Sequence, residues 1–252
     1  MSVAALGMYD WPEVRGETDQ LWAAIRDGLR GLKMDAPDAL DRGGDLWSVW
    51  RSPALTLSQT CGLPFAARLA GTVSLLGAPV YDLADCPRGF YRSEIVIRAD
   101  DPAQSIRDLR GRRFGFNGKT SQSGWACFAA QIADPAAIFS DLVETDGHRN
   151  SVIALAEARV DAACIDAVSW RLAQRYEPEA VGNLRVLART EATPGLPFIT
   201  AVRDELELSQ MRLIIETAIE TLPAASRDAL FLKGFVKMRE ADYAPLASGW
   251  PE

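Results

Sequence analysis

The sequence predicts an α/β protein built as two lobes, and three observations carry that expectation. Through the first third, short apolar runs alternate with amphipathic ones of helical period, the pattern of parallel α/β units. A second series of the same kind runs over residues 90–176 and has enough strands for a sheet of its own. The last two helical stretches, 208–222 and 225–232, bring no strand with them, so they are expected to return to the first series. Lobe 1 is therefore read as 1–84 plus 190–252, with lobe 2, 85–189, inserted and joined by two crossover segments. Two crossings are what a hinged ligand cleft requires.

In chain order, 3–8 reads as a strand ending in the loop Tyr9-Asp10-Trp11-Pro12. Thr18 is placed as the cap of a helix to Leu32, with Leu21, Trp22, Ile25, Leu29 and Leu32 on its inner face. Residues 46–50 read as an edge strand and 54–57 as a buried one, followed by the polar loop Ser58-Gln59-Thr60-Cys61-Gly62 and a helix over 64–69. Further strands are expected at 72–76, 90–97, 112–116, 141–145, 160–165, 184–190 and 198–202. Asp166 stands at a strand end, with a helix over 167–176 behind it. In open α/β sheets the ligand sits beyond the carboxyl ends of the strands, where these polar loops fall.

The turn Asn117-Gly118-Lys119-Thr120-Ser121-Gln122-Ser123-Gly124 is the most informative stretch. It joins a strand to an apolar helix, so free N–H groups and the positive helix end converge on it. The hydroxyls of Thr120, Ser121 and Ser123 donate without bringing charge, which suits a small oxyanion. The alternative is a plain N-cap. A nucleotide P-loop is excluded, because Arg113 stands where that motif needs its first glycine.

Composition removes other classes. The chain has 252 residues, 48% of them hydrophobic and 24% charged, with a net charge of −7. Scattered acidic charge disfavours nucleic acid, and no apolar run reaches the ~18 residues of a membrane span. Four cysteines (Cys61, Cys86, Cys127, Cys164) and one histidine (His148) make no metal set with zinc spacing. Cys127 and Cys164 read as small buried hydrophobes; Cys61 and Cys86, beside Gly62 and Pro87, are the pair open to a disulfide. Residues 1–9 lack a basic, apolar leader, so the reading expects a cytoplasmic chain or one whose leader has been trimmed.

Several motifs, in order, resemble the phosphonate/phosphite-type substrate-binding proteins of ABC transporters, which have the type 2 periplasmic-binding-protein fold. They are Leu57-Ser58-Gln59-Thr60-Cys61-Gly62-Leu63-Pro64-Phe65, Gly89-Phe90-Tyr91-Arg92-Ser93 and Asp108-Leu109-Arg110-Gly111. To these add Asn117 with Ser121-Gln122-Ser123-Gly124, Gly147-His148, and Val160-Asp161-Ala162-Ala163-Cys164-Ile165-Asp166. The resemblance implies that Ser121, Gln122, Ser123 and Gly124 grip the anion. It further implies contacts from Tyr91, His148 and Asp166, with Tyr9 as a looser first-lobe match; Gln59, Thr60 and Asn117 complete the expected set. Each has a structural alternative: Asp166 as a cap, His148 as a satisfied or surface histidine, Tyr91 as core, and Gln59 and Thr60 as turn formers.

The function expected is a solute-binding protein closing on a small anion of phosphonate or phosphate type for ABC uptake, as a monomer with a permease partner and no cofactor. By this resemblance it would be periplasmic. The alternative is a cytoplasmic enzyme on the same fold, acting on a small carboxylate with His148 as general base; no nucleophile–base–orienter set supports it. A sensing domain of a regulator ranks last, because no helix-turn-helix precedes Val3.

Overall fold

The structure is a computed structural model that describes residues 1–132 and 134–251. Its strands, in chain order, are β1 (Val3–Ala5), β2 (Leu55–Gln59), β3 (Ser74–Tyr81), β4 (Phe90–Tyr91), β5 (Ser93–Arg98) and β6 (Arg113–Phe116). They continue with β7 (Asp141–Glu144), β8 (Ala162–Asp166), β9 (Leu184–Arg189), β10 (Thr193–Pro194), β11 (Phe198–Thr200) and β12 (Leu232–Val236). The chain divides into two compact units. Unit 1 is Met1–Phe90 with Pro194–Ala247, and unit 2 is Tyr91–Thr193 with the chain from Ser248 on. The chain passes between the units after Phe90, after Thr193 and again after Ala247, and the stretch after β3 bonds within unit 1: Asp82 N–H donates to the Phe231 carbonyl and Gly195 N–H to that of Gly89.

In unit 1 the sheet order is β1-β2-β11-β3-β12. β1 and β2 are parallel, whereas β11 runs antiparallel to β2 and β3, and β12 antiparallel to β3. The sheet is mixed, not purely parallel. Successive strand residues face opposite sides, and both sides are covered. Ala4, Leu76 and Phe198 meet Trp22, Ile25, Met211 and Ile215 on one face, while Ala5, Leu75 and Ile199 meet Trp50, Phe65, Leu69 and Tyr243 on the other.

Several local expectations are corrected here. Residues Leu46–Trp50 form a helix, not an edge strand: Asp45 accepts from Ser48 N–H at 2.9 Å, and that cap outweighs the β preference of Trp and Val. Thr18 does not cap the first helix. That helix spans Arg15–Gly31 after a 3₁₀ turn at Pro12–Val14, and Thr18 Oγ1 donates back to the Val14 carbonyl within it. Leu32 lies beyond the helix and is exposed. Ser58 and Gln59 belong to β2 rather than to a loop. The C-terminal stretch does bring a strand, β12, which follows the helices Glu205–Thr221 and Ala224–Ala229.

Gly77 shows how tightly β12 is seated. Its φ is +149°, and a β-carbon there would lie 2.2 Å from the Val236 carbonyl oxygen. Gly77→Ala is expected to destabilise unit 1 by about 2–3 kcal/mol, read as a lower urea midpoint.

In unit 2 the order is β7-β6-β8-β5-β9, with β6 parallel to β7 and β8 and β5 antiparallel to β8 and β9. Its core stacks Phe114 on Phe128 (4.4 Å between centroids) and on Phe139 (4.6 Å), beside Ile95, Ile97 and Cys164. The carboxyl ends of the parallel strands β6 and β8 deliver the site residues. The crossing strands β4 and β10 pair with each other in a two-stranded ladder.

Candidate ligand site

β6 ends at Phe116, and Asn117 opens the turn that the sequence singles out. Ser121 Oγ accepts from Gly124 N–H at 3.0 Å, a side-chain cap of the kind Ser favours. The helix then starts with a wide π turn over Gln122–Ala126, in which Ala126 N–H donates to the Ser121 carbonyl at 3.0 Å, before Cys127–Ala129 continues as α-helix. Such π turns recur at functional sites. Gln122, Ser123 and Gly124 are buried, whereas Lys119 and Thr120 point to solvent. The one cation of the turn thus stands apart from its buried donors.

Gly124 is required by its neighbour. A β-carbon on it would lie 1.3 Å from Asn117 Oδ1 and 2.5 Å from Asn117 Cγ, so the asparagine amide occupies the space a side chain would fill.

His148 begins the helix His148–Ala156, and the loop before it is tightly held. Thr145 Oγ1 donates to the Phe116 carbonyl at 3.0 Å, Asn150 Nδ2 donates to the Thr145 carbonyl at 2.8 Å, and Thr145 and Ser151 share a 2.7 Å hydroxyl contact. That frame aims the imidazole at the turn: Nε2 lies 2.8 Å from Ser123 Oγ and 3.3 Å from Asn117 Nδ2. On its other side Nδ1 lies 3.3 Å from Asp166 N–H and also meets the Cys164 carbonyl. Burial pushes the His148 pKa down to about 4, partly opposed by that carbonyl, so the ring is neutral near pH 7. A neutral ring carries one proton, either on Nδ1, where the Cys164 carbonyl accepts it, or on Nε2, where Ser123 Oγ accepts it. Only the second arrangement leaves the Ser123 proton for another acceptor.

Asp166 is buried at the end of β8, where Oδ1 accepts from Val168 N–H (2.8 Å) and Ser169 N–H (3.0 Å) and caps the helix Ala167–Tyr176. The capping role weighed for it is present in full. Ser93, not foreseen as a site residue, donates from Oγ to the Ser123 carbonyl at 2.9 Å and braces the turn from β5. Its only sequence signal was the Phe90-Tyr91-Arg92-Ser93 motif itself. Tyr91 is buried in β4.

The structure thus gathers Asn117, Ser121, Gln122, Ser123, Gly124, His148 and Asp166 around one turn of unit 2. The unit 1 candidates form a separate group. Gln59 Nε2 donates to Tyr81 Oη at 3.1 Å, and Tyr9 meets Tyr81 edge to face at 5.2 Å. Together with Leu6, Leu21, Phe198 and Leu232 they line a cavity of about 40 Å³ at the carboxyl edge of the sheet. Tyr81 escaped the sequence reading because β3 was expected to stop at Leu76. Thr60 is wholly buried, its N–H donates to the Pro197 carbonyl at 3.0 Å, and its hydroxyl lies 3.4 Å from the Cys61 carbonyl. Among the described residues there is no cluster of three metal-ligating side chains, no helix long and apolar enough to cross a membrane, and no Cys61–Cys86 disulfide.

Residues 57–243 match the family model described as ABC transporter, phosphonate, periplasmic substrate-binding protein. The chain belongs to that family. Phosphonate-type binding proteins are substrate-binding components of transporters rather than enzymes, and the enzyme alternative built on His148 is set aside with that finding. Membership implies a small ligand and a permease partner.

Solved structures agree on the fold. PhnD1 from Prochlorococcus marinus, in complex with methylphosphonate, superposes with a TM-score of 0.72 at 15% identity, covering 99% of this chain and 96% of that one. The binding protein component of an ABC phosphonate transporter from Pseudomonas aeruginosa gives 0.73 at 15% identity, with 99% and 84% covered. XAC2383 from Xanthomonas citri, bound to ATP, gives 0.74 at 14% identity, with 99% and 96% covered. These neighbours share the type 2 periplasmic-binding-protein fold expected from the motifs. A comparison with curated proteins gave no match.

Proposed function

We propose that this phosphonate-family protein binds a small tetrahedral oxyanion, of phosphonate or phosphite type, at the Ser123–His148 turn of unit 2 and presents it to an ABC permease. The observation that carries the reading is a set of uncharged groups at one helix start: the Ser123 hydroxyl and the Asn117 amide, with a neutral His148 against both and Lys119 exposed. Neutral dipoles in a buried site hold an anion without a counter-charge of their own to desolvate. Binding selects the imidazole tautomer protonated on Nε2, because Nε2–H then donates to Ser123 Oγ and turns the serine proton toward the anion. Asp166 supports that tautomer through its backbone N–H. Tyr91 is assigned as a contact on the family resemblance, and Thr60 as a structural residue of unit 1. The protein works as a monomer and takes no nucleic acid.

Isothermal titration against methylphosphonate, phosphite, phosphate, methanesulfonate and acetate tests this. At least one phosphorus oxyanion is expected to bind more tightly than about 1 mM, with acetate far weaker. Ser123→Ala, checked for an unchanged melting curve, is expected to cost about 1–3 kcal/mol of binding. No binding by any of the five, or a loss below about 0.3 kcal/mol in the variant, would sink the proposal.

A further inference from the structure

The buried thiols Cys127 and Cys164 have no part in that function, and both sit directly beneath its central residue. Their sulfurs are 3.8 Å apart. Cys127 Sγ lies 3.2 Å and Cys164 Sγ 3.0 Å from the Ser123 carbonyl oxygen, which also accepts from Ser93 Oγ at 2.9 Å. Cys127 Sγ is a further 3.6 Å from Ser93 Oγ. One carbonyl of the anion turn thus has the Ser93 hydroxyl and two thiols against it, each thiol with a single proton to give. The sulfurs come from different elements, Cys127 from the helix behind the turn and Cys164 from β8.

We propose that Cys127 and Cys164 form a peroxide-oxidisable dithiol whose conversion to a disulfide weakens the anion turn above it. The co-reactant is hydrogen peroxide, a molecule close to water in size and so able to reach a buried pair during local opening. The Cys127 thiolate attacks one peroxide oxygen; the O–O bond breaks, and hydroxide leaves and takes up the thiol proton as water. The Cys127 sulfenic acid is then attacked by Cys164 sulfur, the S–O bond breaks, and the second oxygen leaves as water with the Cys164 proton. Two thiols and one peroxide give one disulfide and two waters, sulfur losing two electrons and oxygen gaining them.

Polarity within the pair favours this order. Cys164 donates to Cys127 and holds its thiol below the ordinary range, whereas burial and the neighbouring sulfur push Cys164 up. Closing the bond draws the sulfurs from 3.8 Å to about 2 Å. It also removes the S–H protons from around the Ser123 carbonyl, leaving only the Ser93 hydroxyl as its side-chain donor. The helix behind the turn is pulled toward β8, and Ser123 Oγ shifts against His148 Nε2.

The inference goes beyond the binding proposal, and its covalent part can be read without any ligand. Cys61 and Cys86 are first replaced (Cys61→Ser, Cys86→Ser) so that only the buried pair remains. After peroxide treatment, peptide mapping is expected to show a Cys127–Cys164 link, reversed by dithiothreitol, and a mass lower by the two lost hydrogens. Methylphosphonate titration should then show affinity falling about tenfold and returning on reduction, with Cys164→Ala insensitive to mild peroxide. Absence of the link, or oxidation stopping at sulfinic acid on one cysteine, overturns the dithiol. A link formed at unchanged affinity overturns its effect on the turn. Failure of the reduced protein to bind any oxyanion strikes the function proposed above and leaves the mapped link to be judged alone.

Discussion

Gly124→Ala is expected to lose most oxyanion binding and to destabilise unit 2. The β-carbon would enter the place of the Asn117 amide, at 1.3 Å from Oδ1, a separation no rotamer change at residue 124 can relieve. Asn117 must therefore swing away, carrying its Nδ2 from His148 Nε2, now 3.3 Å distant. Overpacking of this kind costs about 1–3 kcal/mol of stability. The loss of one amide donor from the turn should weaken methylphosphonate binding by about tenfold to a hundredfold. A second substitution separates the steric cause from a general intolerance of the turn. In Asn117→Ala/Gly124→Ala the side-chain clash is gone and only the tight 3.2 Å approach to the Asn117 backbone nitrogen remains, so urea unfolding should return to within about 1 kcal/mol of Asn117→Ala alone, a strongly non-additive pair. Binding should stay weak. Additive losses would show that Gly124 is needed for its backbone and not for the room it leaves.

That pair also shows what a sequence can and cannot disclose. The turn was legible because Gly, Ser and Thr crowd between an apolar strand and an apolar helix, and few other local structures use that mixture. Its cap, Ser121, and the Asp166 cap were legible for the same local reason. That Asn117 fills the missing side chain of Gly124 was not, since seven positions of backbone must close on themselves before the two meet. Ser93 and the Cys127–Cys164 contact were still further out of reach, spanning separations of 30 and 37 residues. The cysteines read correctly as buried; that they share one carbonyl is a property of the sheet order alone.

The fold divides in the same way. Helix Ala167–Tyr176 keeps the bounds expected of it, because its cap and period are both local. Strand β12 was missed, since Leu232-Lys233-Gly234-Phe235-Val236 is short and carries a glycine and a lysine; it becomes a strand by pairing with β3. With it went the mixed character of the unit 1 sheet. Residues Leu46–Trp50 erred the other way, the β preference of two Trp and a Val masking the cap at Asp45.

Stability should fall on acidification in a window that belongs to His148. Its folded pKa, about 4, lies below the ordinary 6.5 because burial penalises the imidazolium. The sign follows from proton binding. Between pH 6.5 and 4 the unfolded chain takes up a proton that the fold refuses, so the contribution is complete above 6.5 and is lost as pH falls toward 4. The interval corresponds to a ceiling of about 3 kcal/mol, and the residue's partial exposure makes the realised figure smaller. Carboxylates lose their contributions lower down. Asp161, held below the usual range first by its bond to Arg113 and further by Arg98, contributes stability that disappears only as pH falls below its ordinary 3.8. Urea unfolding of wild type and His148→Gln at pH 7, 5.5 and 4.5 separates the two. The wild type should lose stability relative to the variant across these points, while both behave alike below pH 3.5. A constant difference between them from pH 7 to 4.5 would show that the imidazole titrates as freely folded as unfolded. The turn would then hold a charged histidine in mild acid, contrary to the uncharged groups on which the proposed anion site is built.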